Sequence, residues 1–278
     1  MRYTRYPTRR SSFLRYFPTG VKWLLLSNIA IFIVTSVLLP PLFVLTLFAV
    51  SWAGVFNNFY VWQPFTYMFL HGGIWHLILN MLMLGMFGIQ LEQAWGTRQF
   101  LKYYFICGVG AGICILLMNV VVGAYTVPTV GSSGAIMGLL VAFGVLYPNG
   151  VELEPEIRQF LRYYFICGVG AAACIILVSG AGPTLGGLSI TVGFLYLITF
   201  GVLYPHGRVV IPIKAKYLVL IYVAIELWAS FGATQTSSLA HLGGMLVGYV
   251  YLRTGHSLRD VRCLSALESR TDPAGFGR

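Results

Sequence analysis

HGGIWHLILNMLMLGMFGIQLEQAWGTR, residues 71–98, is the stretch whose reading decides the fold. From Leu77 to Leu91 it holds no charged residue and no proline. Its apolar side chains run round the whole circumference of a helix instead of forming one stripe, so such a helix has no face to give to water. A buried core helix or a membrane span reads this way, and the rest of the chain chooses between them. Apolar stretches of the same kind occupy residues 23–39, 101–122, 135–147, 161–178, 188–204, 217–231 and 239–252, which with residues 75–91 make eight candidate spans. Hydrophobic residues fill 58% of the 278 positions and charged residues only 9%, where soluble domains run near ~25% charged. Mean hydropathy is +0.79. So few charges exclude a water-soluble fold. The expected class is all-α, a polytopic transmembrane helical bundle.

The 18 Lys and Arg residues give the bundle an orientation. Six precede the first span. Arg98 and Lys102 lie between the second and third, Arg158 and Arg162 between the fourth and fifth, and Arg208, Lys214 and Lys216 between the sixth and seventh; the remaining five follow the eighth. The connections on the opposite side carry none. Cytoplasmic segments retain Lys and Arg, so both termini are expected in the cytoplasm, with the protein in the cytoplasmic (plasma) membrane. The +10 net charge therefore reports topology. Basic residues scattered over five segments argue against nucleic acid as a partner. Residues 1–22 and 254–278 read as basic cytoplasmic ends around a membrane domain at 23–253. The first span is too long for a signal-peptide core and lacks a small-residue cleavage site. Residues 41–56 start at Pro40-Pro41 and carry Trp52 and Phe56, with Phe59 and Tyr60 just beyond. They are expected to lie in the membrane interface, since a ninth span would spoil the charge pattern. Cys107, Cys114, Cys167 and Cys174 lie within spans without C-x-x-C spacing and read as small apolar residues; Cys263 lies in the tail.

The chain also repeats itself. RQFLKYYFICGVGAGIC at residues 98–114 returns as RQFLRYYFICGVGAAAC at 158–174, with three of 17 positions changed. Each copy then crosses a Gly/Pro/Thr-rich turn, enters another apolar run and ends in Gly-Val-Leu-Tyr-Pro, at 144–148 and 201–205. The unit is a helical hairpin. A hairpin has an even number of spans, so both copies run the same way, unlike the inverted repeats of many transporters. Aligned from Pro128 and Pro183, the copies differ where Ser133 is replaced by Leu188.

Ionisable residues inside spans are costly and mark function by default. Here they are His71, His76, Glu92, Glu226 and His241, with His206 and His256 in cytoplasmic segments. His76 and Asn80 are four residues apart and share one helix face. Ser133, His241, His76 and Asn80 all fall near the extracytoplasmic ends of their spans, at matching depth. A hydroxyl, an imidazole and polar donors are what acyl transfer requires: a base to take the serine proton and donors for the developing oxyanion. The free N–H groups at a helix start add to those donors. No acid presents itself as a third member, so the reading is a Ser–His dyad. Glu226 is read as bonding a neighbouring helix or helping to gate substrate, with no part in catalysis. The plainer readings are a serine used for helix packing, with Gly134 and Gly138 beside it, and a histidine bonded to backbone. GSSGA is not a G-x-S-x-G elbow, because Ala135 fills the last position.

At these residues the chain resembles the rhomboid family of intramembrane serine proteases. The matching elements are His71–Asn80 as HxxxxHxxxN, Glu92–Arg98 as ExxxGxR, Gly131–Gly134 as GxSG and Ala240–Gly244 as AHxGG. The resemblance implies Ser133 as nucleophile and His241 as general base, with His76, Asn80 and the Ser133 N–H as oxyanion donors. It implies a supporting role for His71 and, at Gly131, room for backbone to approach a substrate. Substrates would be transmembrane segments of membrane proteins, met in the bilayer and cut near their outer ends, with no metal or other cofactor. Glu92 and Arg98 would be structural, tying the second and third spans at the cytoplasmic side. The pairs Gly134/Gly138 and Gly244/Gly248 would let the Ser133 and His241 helices pack closely.

The chain departs from that pattern in places. Ser133 and His241 are 108 residues apart, and excising the 57 residues 149–205 leaves 51, the spacing of a six-span member. The second hairpin is therefore expected to be an insertion into a six-helix core. Met137 stands where many members carry an aromatic against the histidine, and the first loop lacks the family's Trp-Arg pair. Two functions follow. One is a serine endopeptidase. The other is a catalytically inactive, membrane-protein-binding relative, in which the second hairpin takes the place of the first and sets Leu188 against His241. Oligomeric state and substrate identity are not legible in the sequence.

Overall fold

Within a bilayer each backbone N–H and C=O must find a partner in its own segment, so the apolar runs fold as helices. The computed structural model of the chain describes residues 17–147, 215–229 and 235–254. The α-helices there are α1 (Thr19–Val37), α2 (Pro41–Phe48), α3 (Gln63–Thr66), α4 (Ile74–Trp95), α5 (Thr97–Val121), α6 (Ser133–Leu146), α7 (Ala215–Ala229) and α8 (Gln235–Thr254). Among the described residues the β-structure is one isolated antiparallel bridge, Val50 to Thr129. Among the described residues three helical segments, Thr19–Val37, His76–Trp95 and Thr97–Val121, are long and apolar enough to cross a membrane, and Ser133–Leu146 is a shorter apolar helix. The fifth and sixth expected spans, the inserted hairpin at 149–205 and both chain ends from 1–16 and 255–278 lie outside the described residues. Helices start up to four residues before the apolar runs do, at Thr19, Thr97 and Gln235 for example. Hydropathy marks the part of a helix that lipid or core covers, and the first turn carries free N–H groups and tolerates polar residues.

Helix α4 is the centre of the bundle: 72% of its apolar length is buried, against 22% for α1. Trp23, Val37, Leu42 and Val121 point outward and are exposed, as large hydrophobic side chains meeting lipid are. Helix α8 packs chiefly on α5 and α6, and small residues set how closely. A Cβ on Gly244 would fall on the Gly134 carbonyl, and one on Gly138 would lie 2.5 Å from Cys107 Sγ and 3.3 Å from the Gly244 carbonyl. One on Gly248 would lie 3.2 Å from Gly138 Cα. In lipid, such backbone-on-backbone contact replaces the hydrophobic effect as the source of helix association. The buried Tyr103 hydroxyl crosses from α5 to the Gly138 carbonyl at 2.8 Å. Among the described residues, the first copy of the repeat, α5 and α6, packs against the His241 helix.

Residues 38–70 form an irregular, internally bonded segment. Helix α2 spans 8 residues, about 12 Å at 1.5 Å per residue, too short to cross a bilayer. The wholly buried Gln63 donates Nε2 to the Thr46 carbonyl at 2.9 Å and accepts the Ser51 N–H at 3.2 Å. Trp62 Nε1 donates to the Leu47 carbonyl at 2.7 Å. The segment is tied to the α5–α6 turn by paired Val50–Thr129 bonds of 3.0 and 2.9 Å and by Ala53 N–H to the Tyr125 carbonyl at 2.8 Å.

At the other end Glu92 is 3% exposed. Its carboxylate accepts the Gly20 and Val21 N–H groups of α1, both at 2.7 Å, and the Thr97 hydroxyl at 2.6 Å. These are free donors of a helix first turn, where negative charge is favoured. Glu92 therefore joins α4 to the start of α1 as well as to the start of α5, a link to the first span that the sequence did not reveal. Arg98 sits exposed in the first turn of α5.

Candidate active site

Ser133 is the first residue of α6, after Ser132 at the cap. Before it, Gly131 has φ of +126°, a backbone conformation an L side chain resists. The Gly131 N–H donates to the Tyr67 carbonyl at 2.9 Å, which anchors this turn to the segment before α4. The bend brings Ser133 Oγ to 2.7 Å from His241 Nε2 of α8. A residue separation of 108 is thus closed to a hydrogen bond by the glycine-lined crossing of α6 and α8.

His76 faces the same gap from α4. Its Nδ1 accepts the Gly72 N–H at 3.3 Å, so the neutral ring carries its proton on Nε2. A Cβ at Gly131 would lie 2.9 Å from that Nε2 and 3.7 Å from Ser133 Oγ. The missing side chain leaves a space bordered by an N–H donor and by the serine oxygen. His71 backs His76, ring edge to face, with centroids 5.1 Å apart. Asn80 is buried one turn along α4 and donates Nδ2 to the His76 carbonyl at 2.8 Å. That bond uses one of its two amide protons. Glu92 and Arg98, at the far end of α4 and the start of α5, take no part in this cluster.

One residue changes the reading. Glu226 of α7 places Oε1 2.8 Å from His241 Nδ1, with side chains 12% and 17% exposed. The Ser–His dyad expected without an acid therefore has an acid against the histidine. The signal was available: Glu226 lies three residues before the end of α7 and His241 six after the start of α8. The depth argument that groups Ser133, His241, His76 and Asn80 groups Glu226 with them. Hydroxyl, imidazole and carboxylate in one hydrogen-bonded row, beside a donor-lined gap, can deprotonate a serine and receive an oxyanion.

The sequence profile of the Rhomboid domain family matches residues 58–155 and 145–257. RHOMBOID-like protein 1 of Arabidopsis thaliana is 31% identical over 207 residues, 71% of this chain and 50% of that protein. Rhomboid-like protease 3 of Toxoplasma gondii is 29% identical over 147 residues, 50% of this chain and 53% of that protein. A third relative, named Inactive RHOMBOID-like protein 8 of Arabidopsis thaliana, is 30% identical over 91 residues, 32% of this chain and 24% of that protein. The chain spans about half the length of the first two. No solved structure matches.

Proposed function

Because the chain belongs to the rhomboid family of multi-pass membrane proteins, we propose that it is a serine-type endopeptidase that cuts transmembrane segments inside the bilayer. The observation that carries this reading is the 2.7 Å contact between Ser133 Oγ and His241 Nε2. His241 Nε2 takes the Ser133 proton as Oγ attacks the scissile carbonyl. The oxyanion is received by the Ser133 N–H, His76 Nε2–H and the remaining Asn80 amide proton. Collapse breaks the C–N bond, and His241 returns its proton to the leaving amine. Water, deprotonated by the same imidazole, then hydrolyses the acyl-serine. His71 backs His76, and Gly131 keeps the oxyanion space open. Basic segments on one side put both termini in the cytoplasm and the site toward the opposite face of the plasma membrane. Residues 149–205, whose sequence repeats that of α5 and α6, are proposed as an insertion into the six-helix core.

The test uses purified protein and a model transmembrane substrate in proteoliposomes. The parent cleaves the substrate and a fluorophosphonate probe labels Ser133; Ser133→Ala and His241→Ala each abolish both. Full activity in Ser133→Ala sinks the proposal. The second reading, an inactive family member that binds membrane proteins, draws on the relative named inactive. An unlabelled Ser133 in a well-folded preparation would favour it.

A further inference from the structure

We propose that Glu226 is a positioning residue of this site, holding the His241 ring with Nδ1 protonated and Nε2 turned to Ser133. The inference rests on the serine-peptidase reading above and adds a third member to it. For Nε2 to accept the serine proton, a neutral imidazole must carry its own proton on Nδ1. An ionised carboxylate is acceptor-only, so Glu226 Oε1 at 2.8 Å from Nδ1 admits the N–H there and selects that tautomer. It also fixes the ring from outside: Glu226 belongs to α7, whereas His241 belongs to α8, so rotation about the histidine side chain is stopped by a different helix.

Geometry and charge agree on the role. The three side chains lie in order, Glu226 to His241 at 2.8 Å and His241 to Ser133 at 2.7 Å, on three separate helices. When Ser133 gives up its proton the ring becomes an imidazolium, and a carboxylate in contact with it offsets that charge where little water reaches. The proton moves from Ser133 Oγ to His241 Nε2, and the Nδ1 proton stays on the ring. A carboxylate in a span placed there only for packing would cost free energy with no return, which is why such residues face partners.

Three substitutions separate this role from packing, all measured on the full chain in proteoliposomes with the same model substrate. Glu226→Gln loses the carboxylate charge and offers Nδ1 an amide that can donate as well as accept, so the Nδ1-protonated tautomer is no longer selected and the imidazolium is no longer offset; kcat falls about 100-fold while KM stays within about twofold. Glu226→Ala, which removes the acceptor without supplying a donor, loses no more than Glu226→Gln. Glu226→Asp, which keeps the charge on a shorter arm, recovers at least about tenfold of the glutamine loss. Fluorophosphonate labelling of Ser133 slows in the same order. A Glu226→Gln protein with parental kcat overturns the inference and leaves the peptidase standing. Equal losses in all three variants, with matching falls in unfolding temperature, also overturn it, because they report packing alone. An inert parent whose Ser133 is not labelled removes the peptidase reading and this one together.

Discussion

Gly244→Ala tests the link between helix packing and chemistry. The added Cβ falls on the Gly134 carbonyl, backbone that has no rotamer to move. Restoring an ordinary contact of about 3.4 Å requires α6 and α8 to part by about 1 Å or more, an overpacking that costs roughly 1–3 kcal/mol. Gly134 is adjacent to Ser133 and Gly244 is three residues from His241, so the separation acts where the two side chains meet. A contact of 2.7 Å opened by about 1 Å exceeds hydrogen-bond range. Misplacement of that size costs about 100-fold in rate. The assay is the rate constant for fluorophosphonate labelling of Ser133, with kcat on a transmembrane substrate beside it and thermal unfolding as a check on folding. The expected outcome is a folded protein with a lowered melting temperature and labelling slowed about 100-fold. Labelling within twofold of the parent would refute the claim that this seam sets the Ser133–His241 distance.

Two further outcomes are expected. Glu92→Gln loses the charge that draws two α1 N–H groups and the Thr97 hydroxyl; detergent-titrated unfolding should show a loss of about 2–4 kcal/mol, while labelling per folded molecule is unchanged, because Glu92 lies at the far end of α4 from Ser133. Excising residues 149–205 keeps an even number of spans and should leave a protein that still cleaves substrate; loss of cleavage in a folded deletion would show the duplicate hairpin to be part of the working core.

The membrane helices were legible because burial on all sides leaves a plain compositional trace: fifteen uncharged residues from Leu77 to Leu91 cannot face water. Ser133, His241 and His76 were legible because depth follows from counting along spans with alternating direction. Glu226 falls at the same depth by the same count, but depth alone does not assign it to the site, since an acid near a helix end also serves as a bond to a neighbouring helix, and sequence does not say which neighbour. Residues 38–70 were opaque beyond their inability to span. Their shape comes from Gln63 and Trp62 bonding main-chain groups 12–17 residues away, and such contacts have no periodicity to detect. Glu92 shows the same gap: its spacing to Gly96 and Arg98 marks a turn, but its partners Gly20 and Val21 lie 72 and 71 residues upstream.

That last separation bears on the order in which the protein is built. The first helix emerges from the ribosome with the N–H groups of its opening turn unclaimed, and the carboxylate that claims them is made 72 residues later. Until Glu92 and Thr97 have been added, the opening turn of α1 lacks the carboxylate that accepts its Gly20 and Val21 N–H groups. The docking of that turn thus waits on residues made about a third of the way along the chain, when one buried acid joins the start of α1 to α4 and α5.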